Sequence, residues 1–320
     1  MKKRAMFMTL TFAFVSFLFI QCAKDDSPST EETGSMTIRI TDAPADDASV
    51  KGTFITVSGI KIDGKSLEGF QKQSFELSAL RNGNARTLFT GQVRAGNYSK
   101  VTLVLDFAAD ASGNAPGCYV LDNANVKHDL RASTAQSVEI DLQKSMNVGA
   151  NSQSTLIIDF DLRKSIARGN TAVSQSSYSF VSSAELKNSL RIAAEESTGH
   201  LKGKVQGSLM GSTKVIVYAY KKGTFDASTE QQPKGAGQIR FAGAVTSSLV
   251  DQEGNYQLSF LEQGEYEVVL ASYDQESSGR LQFSGLLTVS SLTSGLIPTG
   301  VTIGAKASVT MNISITGLLS

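Results

Sequence analysis

The stretch KVTLVLDF, residues 100–107, decides the fold class of this 320-residue chain. Apolar residues stand at every second position from Val101 to Phe107, and polar Thr102 and Asp106 lie between them. Alternation with a period of two places one face of a β-strand in a core and the other toward solvent. The stretch therefore predicts a half-buried strand.

The same alternation recurs along most of the chain. Further alternating runs lie at residues 36–41, 55–62, 136–142, 154–162 and 308–317. Gly, Asn and Asp residues separate the runs, and long amphipathic helical patterns are nearly absent. We expect an all-β protein built from half-buried antiparallel strands.

A polar stretch, AAEESTG at residues 193–199, separates two sets of strands. The region that follows the N-terminal segment is about 300 residues long, which suits two domains better than one. The sequence predicts two tandem β-sandwich domains, at residues 36–193 and 199–320.

The N-terminus has the pattern of a signal peptide, assigned to residues 1–21. A basic head, Lys2 to Arg4, precedes an uncharged apolar run at residues 5–20, which is short for a transmembrane helix. The run ends at Cys22 and resembles the lipobox of bacterial lipoproteins. That resemblance implies a diacylglycerol on the Cys22 sulfur, with fatty chains such as palmitate, and Cys22 as the mature N-terminus. An uncleaved anchor helix with an incidental cysteine is the alternative.

The residues after Cys22 suggest where the protein is delivered. Lys24, Asp25 and Asp26 resemble the export signal that sends some Gram-negative lipoproteins to the outer face of the outer membrane. Residues 22–35 are then a lipidated, flexible and polar tether. These features predict a surface-exposed protein that is lipid-anchored in the outer membrane of a Gram-negative bacterium.

The first domain resembles an uncharacterised family, domain-of-unknown-function 4382. The resemblance rests on four motifs in order, which are MTIRITDAPADD at 36–47, VKGTFITVSGIKIDG at 50–64, GNYSKVTLVLD at 96–106 and LIIDFDLRKSI at 156–166. It covers residues 36–192 and implies a secreted or surface lipoprotein without a known activity.

The second domain contains an apparent hairpin at residues 251–270. Turns are predicted at residues 251–254 and 262–264, and the tyrosines Tyr256 and Tyr266 begin two alternating runs. The D-x-x-G-x-Y pattern is similar to the carboxypeptidase regulatory-like, or prealbumin-like, β-sandwich family. That resemblance covers residues 199–273 and implies a non-catalytic spacer or adhesion module.

Four aspartates form a candidate calcium site near the end of the first strand. They are Asp42, Asp46, Asp47 and Asp63. Calcium takes six to eight oxygen ligands, which loops at the end of a sandwich can supply. Alternatively, Asp42 bonds the backbone of its own turn and the others are solvated. No calcium-loop motif supports the site, and no other cofactor is expected.

Catalytic residues are not predicted. Motifs for a nucleophile elbow, a phosphate-binding loop and a zinc protease are absent from the sequence, which has only two histidines. Cys118 has no cysteine partner if Cys22 is acylated, and a buried inert thiol is expected there. Asp159 and Asp161 share one strand face, and we interpret them as its polar face rather than a hydrolytic dyad.

Three functions remain open at this stage. The leading hypothesis is a non-catalytic surface lipoprotein that binds a surface protein or a glycan. The second is a pilin-like subunit that assembles by strand addition, with residues 308–320 as donor strand, although these residues are equally explained as the closing strand of their own domain. The third is a hydrolase, with its site at residues 223–237 or at Asp42.

Charge excludes one class of partner. Removing the three basic residues of the signal peptide leaves 27 basic and 30 acidic residues. A mildly acidic chain has no electrostatic footprint for nucleic acid. The membrane is expected to be reached through the N-terminal lipid alone.

Overall fold

A computed structural model of the chain describes residues 32–43, 50–169, 178–207, 213–277 and 279–319. Strands form nearly all of the regular structure, so the all-β prediction is confirmed. Within these ranges, no helix has the length and the apolar character that crossing a bilayer requires. The described residues all belong to a unit that begins at Glu32.

The described residues of the first half form thirteen strands and two short helices. The strands are β1 (Thr33–Ala43), β2 (Val50–Ile62), β3 (Lys65–Ser66), β4 (Gln73–Glu76), β5 (Arg86–Arg94), β6 (Gly96–Asp106), β7 (Tyr119–Asp122), β8 (Lys127–Asp129), β9 (Ser137–Val148), β10 (Gln153–Asp161), β11 (Ile166–Arg168), β12 (Tyr178–Phe180) and β13 (Leu190–Ala194). The helices are α1 (Leu162–Ser165) and α2 (Ser183–Asn188).

Two sheets enclose the core of the first half. One sheet has the order β13-β10-β1-β5, and the other has the order β8-β7-β2-β6-β9, with β3 and β4 also paired to β2. The alternating apolar residues of both sheets meet in one cluster, which includes Ile38 of β1, Ile55 of β2 and Leu103 of β6. The period-two pattern of residues 100–107 therefore does face a core.

In the second half, the residues that the structure describes form nine strands and one short helix. These are β14 (Thr198–Gln206), β15 (Lys214–Lys221), α3 (Ala227–Glu230), β16 (Thr246–Leu249), β17 (Asn255–Glu262), β18 (Gly264–Gln275), β19 (Leu281–Ser291), β20 (Val301–Ile303), β21 (Ser308–Thr310) and β22 (Ile313–Leu319). The sheet order is β16-β15-β18-β19-β22-β14-β17, with β20 paired to β18 and β21 paired to β14.

Two apolar clusters cover the faces of the second sheet. One brings together strands from both ends of the sheet order, including Leu201 of β14, Val217 of β15 and Leu258 of β17. The other lies on the opposite face of β15 and β18, where Phe241 from the long loop stacks on Tyr218 with ring centroids 4.5 Å apart. The loop at residues 222–245 thus contributes to a core.

Among the described strands, three pairs are parallel within a mainly antiparallel fold. β1 runs parallel to β10, and β14 runs parallel to both β21 and β22. Parallel neighbours need a crossover between them, because a two-residue turn can only reverse the chain. The alternation of a single strand carries no information about the direction of its partner.

The hairpin predicted for residues 251–270 is wrong. β17 follows β16 and precedes β18 directly, but β17 pairs with β14, whereas β18 pairs with β15, β19 and β20. The turn at Gln263, whose amide donates to Ser197 O, joins β17 at one end of the sheet order to β18 near the other end. Tyr256 and Tyr266 therefore enter the same core from strands that do not pair with each other, and both are buried.

The C-terminal strand β22 lies inside the sheet. It pairs with β19 on one side and with β14 on the other. Gly203 of β14 allows the backbone at Met311 to approach closely, because a Cβ at residue 203 would collide with the Met311 carbonyl oxygen. In this chain, residues 308–319 close their own sheet.

The boundaries of the two halves differ slightly from the expected ones. β1 begins at Thr33, three residues inside the segment assigned to the tether, and Ser35 pairs with Gln153 and Gln92. A single 3-10 turn, Glu195–Ser197, separates β13 from β14. No described strand of one half pairs with a strand of the other, and the division into two domains stays a prediction.

Candidate functional site

Several predicted site residues lie outside the described residues. They are Cys22, Lys24, Asp25 and Asp26 of the lipoprotein signal and Asp46 and Asp47 of the calcium set. Lipid attachment, export and the four-aspartate calcium site therefore stay predictions.

Asp63 sits in the two-residue turn between β2 and β3. Asp63 and Gly64 both have positive φ, as a tight hairpin turn requires. The Asp63 carboxylate accepts hydrogen bonds from Ser99 N, Ser99 Oγ and Lys100 N at 2.9–3.1 Å. Although its slight burial opposes the effect, these hydrogen bonds lower the pKa of Asp63. Its contacts are those of a turn residue.

Asp42 lies in a different environment from Asp63. It is buried near the end of β1, and its Oδ1 accepts a hydrogen bond from Leu162 N at 3.3 Å. Burial raises the pKa of Asp42 well above its ordinary value, and the nearby carboxylates of Asp161 and Asp159 add to the effect. The structure thus groups Asp42 with the two aspartates of β10.

Asp159 and Asp161 lie at alternate positions of β10, on a polar face that is buried rather than exposed to solvent. Both are buried, and each is held by basic side chains. Arg191 Nη2 contacts Asp159 Oδ2 at 2.5 Å, and Arg163 Nη2 contacts Asp161 Oδ2 at 3.0 Å. Burial raises the pKa of Asp159, although the Arg191 guanidinium opposes the shift.

Arg163 and Arg191, together with Lys164, also connect the two halves of the chain. Arg163 donates to the carbonyl oxygens of Arg240 and Phe241, Lys164 donates to Ala244 O, and Arg191 donates to Phe260 O, at 2.5–3.2 Å. Charged groups donating to backbone carbonyls make strong hydrogen bonds. The carboxylates therefore orient three cations that stabilise the contact between the halves.

A small cavity lies beside these carboxylates. Its volume is about 10 Å³, and its wall consists of Thr41, Asp42, Asn82, Asp159, Thr246, Ser247, Gln257, Ser259 and Phe260. It combines residues of both halves. A cavity of this volume has room for about one water-sized particle.

A much larger groove shares Asn82 and Gln257 with this cavity. It has a volume of about 500 Å³ and is lined by Asn82, Lys202, Gly203, Lys204, Asp251, Asn255, Tyr256, Gln257, Thr310 and Asn312. The volume falls in the range of small-molecule and saccharide sites. The lining residues come from β14, β17, β21 and their neighbouring turns, with Asn82 contributed by the first half.

Most residues that line the groove have polar side chains, and its two lysines outnumber its one aspartate. Lys202 and Lys204 are exposed at alternate positions of β14, which places them on one face. Asp251 is the one acidic residue of the lining, and its oxygens already accept from Asn255 N, Asn255 Nδ2 and Glu253 N. Tyr256 is buried and donates to Met311 O at 2.7 Å. With two lysines and one aspartate, the lining of the groove has a net positive charge.

Cys118 has the environment of an inert thiol. It is fully buried, its Sγ accepts from Thr56 N at 3.4 Å, and it donates to Asp106 O at 3.3 Å. Burial raises the pKa of the Cys118 thiol to about 12. His128 instead pairs with Asp122, at 2.9 Å. Cys118 and His128 thus have separate partners.

Among the described residues, no group of three or more His, Cys, Asp or Glu side chains has an arrangement that could hold a metal ion. A site in this part of the chain would have to use hydroxyl, amide or carbonyl oxygens beside one or two carboxylates.

The groove and the basic residues around Asp159 were not predicted from the sequence. Lys202 and Lys204 alternate with Leu201, Gly203 and Val205, a pattern that indicates an exposed strand face but no cavity. The walls of the groove come from positions more than a hundred residues apart, such as Asn82 and Asn312. Single-strand patterns do not reveal such contacts.

The comparisons with known proteins concern the first half and the general architecture. Residues 33–180 match the model of the family described as "Domain of unknown function (DUF4382)". This match confirms the family resemblance of the first half, and the description assigns no activity. None of the curated proteins matches the chain.

Three solved structures illustrate the structural similarities. The major pilin subunit BcpA of Bacillus cereus shares 9% identity, with 89% of this chain and 71% of that chain covered and a TM-score of 0.21. The minor pilin GBS52 of Streptococcus agalactiae shares 14% identity, with 89% and 97% covered and a TM-score of 0.21.

The third structure is the Bacillus anthracis TIE protein. It shares 10% identity over 89% of this chain, with a TM-score of 0.18. This chain spans 34% of the length of the TIE protein. TM-scores this low do not establish a common fold with any of the three proteins, and nothing about function follows from them.

Proposed function

We propose that this protein is a non-catalytic binding module on the bacterial surface, which captures a polar, negatively charged ligand in the groove beside β14. The groove carries the proposal, because it combines a volume of about 500 Å³ with Lys202 and Lys204 at its wall. Amide and hydroxyl side chains around the two lysines suit a ligand rich in hydroxyl and carboxylate groups, such as an acidic glycan or an acidic protein surface.

The lipid anchor belongs to the same proposal. Acylation of Cys22, export through Lys24, Asp25 and Asp26, and display on a Gram-negative outer membrane would hold the groove outside the cell. The second half would then be a sandwich of the carboxypeptidase regulatory-like kind that presents the groove. The motifs at residues 17–26 and 251–266 support these assignments.

Assembly by strand addition is the weaker alternative. Its proposed donor, residues 308–320, includes β22, which pairs on both sides with strands of its own chain. A donor strand would have to leave these pairings, whereas ligand capture in the groove requires no such exchange.

The groove is tested by reversing its charge. The labelled chain is applied to an array of glycans and matrix proteins, and every hit is measured again with the double variant Lys202→Glu/Lys204→Glu. Loss of two favourable charges should weaken binding by about tenfold or more. The matched control is Lys51→Glu/Lys65→Glu, which makes the same charge change at exposed positions of β2 and β3.

Two outcomes would contradict the proposal. Hits that keep their affinity in the groove variant, or lose it equally in the control, would place binding elsewhere. Turnover of an array ligand by the unmodified chain would show an enzyme rather than a binding module.

A further inference from the structure

Three buried side-chain oxygens surround the small cavity between the two halves. Asp42 Oδ2, Asp159 Oδ1 and Ser247 Oγ find no hydrogen-bond partner among the described residues. The three residues line the same cavity, and their exposed fractions are 5%, 4% and 3%. Because buried polar atoms are almost always satisfied, three unsatisfied atoms around one cavity indicate that something occupies it.

The size and chemistry of the cavity limit the occupant. A volume of about 10 Å³ admits a single water-sized particle. The wall offers carboxylate and hydroxyl oxygens from the three residues, and the amide side chains of Asn82 and Gln257 lie beside them. Oxygen ligands of this kind are preferred by hard cations, Ca²⁺ above all where carboxylates, hydroxyls and amides are combined.

The local charge favours a cation over a water molecule. Asp161 is neutralised by Arg163 and Lys164, and Asp159 Oδ2 by Arg191. Asp42 receives a hydrogen bond from Leu162 N, but none of the ion pairs among the described residues includes it. A water molecule could only hydrogen-bond to these oxygens, whereas a cation would also supply the counter-charge that an ionised Asp42 lacks among the ion pairs.

We propose that the cavity binds one calcium ion, held by Asp42 and Asp159 of the first half and by Ser247 of the second. This set shares only Asp42 with the four aspartates suggested by the sequence. An ion with ligands from both halves would fasten them together, and it would do so independently of any ligand in the groove.

Thermal unfolding of the full chain tests the site. The chain is purified in detergent with a chelator, and its Tm is measured with and without about 10 mM calcium chloride. For an extracellular-type site of 10⁻⁴–10⁻³ M affinity, mass action predicts a rise in Tm of about 2–5 °C in a chain of this length. Asp42→Asn keeps the shape of the side chain but removes its charge, and should abolish the rise.

Two further variants keep the test decisive. Ser247→Ala removes one neutral ligand and should weaken calcium binding by about tenfold without unpairing a charge. Asp63→Asn is the matched control, because it neutralises a turn carboxylate outside the cavity and should respond to calcium like the unmodified chain.

The contrary results are equally specific. An unchanged Tm of the unmodified chain in calcium would overturn the proposal and leave an ordered water as the occupant. A rise that persists in Asp42→Asn, or disappears in Asp63→Asn, would place the calcium elsewhere. None of these results depends on ligand binding by Lys202 and Lys204.

Discussion

At the scale of single residues, Cys118 shows how burial controls reactivity. The thiol is enclosed by β2, β6 and β7, and its raised pKa keeps it protonated at any physiological pH. Since the thiolate is the reactive form, a folded chain should not react with an aromatic disulfide reagent at pH 8. The variant Cys22→Ser, which leaves Cys118 as the single thiol, should release one equivalent only after denaturation.

The contribution of the Cys118 thiol to stability changes with pH in a defined direction. The folded thiol ionises near pH 12 and the unfolded thiol near pH 9. Between these values the native state binds more protons, so this thiol's contribution to stability falls as pH rises, by up to about 1.4 kcal/mol per pH unit. Rapid labelling of the native chain at pH 8 would contradict a buried, protonated Cys118, and Cys118→Ala is the control that removes the signal.

The burial and ion pairing of the β10 carboxylates could not be predicted from the sequence. Alternation correctly predicted a strand at residues 154–162, and the apolar Ile158 and Phe160 are buried as expected. Asp159 and Asp161 are also buried, because the second half covers their face of the strand. Their partners Arg191 and Arg163 are recognisable only once β13 and α1 are placed.

At the scale of elements, the position of β22 predicts the effect of a truncation. Deleting residues 308–320 removes β21 and β22, leaves β14 and β19 without their shared neighbour, and uncovers the core around Met311 and Ile313. Loss of these buried side chains alone should cost several kcal/mol, about 2–5 for each. We expect the second half to unfold, which circular dichroism and limited proteolysis would measure.

A shorter truncation is the matched control. Residues Leu318 and Leu319 are more than half exposed, so deleting residues 318–320 should leave the fold intact. If the long truncation instead gave a folded monomer that failed to assemble, the strand would act as a donor between chains, as in a pilin.

β17 and β18 follow each other in the chain but do not pair. They show why the pairing of strands was harder to predict than their positions in the sequence. Both strands and the turns that bound them follow from alternation and from Gly254 and Gly264. A short turn between two strands usually joins neighbours in a sheet. Here both strands direct tyrosines into one core without pairing with each other, which only the complete arrangement of the strands reveals.

At the scale of the whole molecule, the two halves meet through polar contacts as well as a small apolar cluster. The apolar cluster contains Ile157, Ala193 and Phe260. Around it, Lys144 contacts Glu262 at 2.5 Å, and Glu185 accepts from Ala236 N at 2.9 Å. Such contacts join residues 51 to 118 positions apart. The polar stretch at residues 193–199 and the chain length predicted two sets of strands, but neither indicated these contacts between the halves.

Where the whole molecule resides depends on Cys22. If Cys22 carries several fatty chains, the protein should fractionate with the envelope and lose surface epitopes when intact cells are treated with protease. The variant Cys22→Ser offers no sulfur for acylation and should appear as an uncleaved precursor of altered mass outside the outer-membrane fraction. Cys118→Ala is the control, because it replaces the other cysteine and should leave processing and fractionation unchanged. An outer-membrane location at the native processed mass in Cys22→Ser would show that another feature anchors the chain, and the proposed display of the groove would then need a different basis.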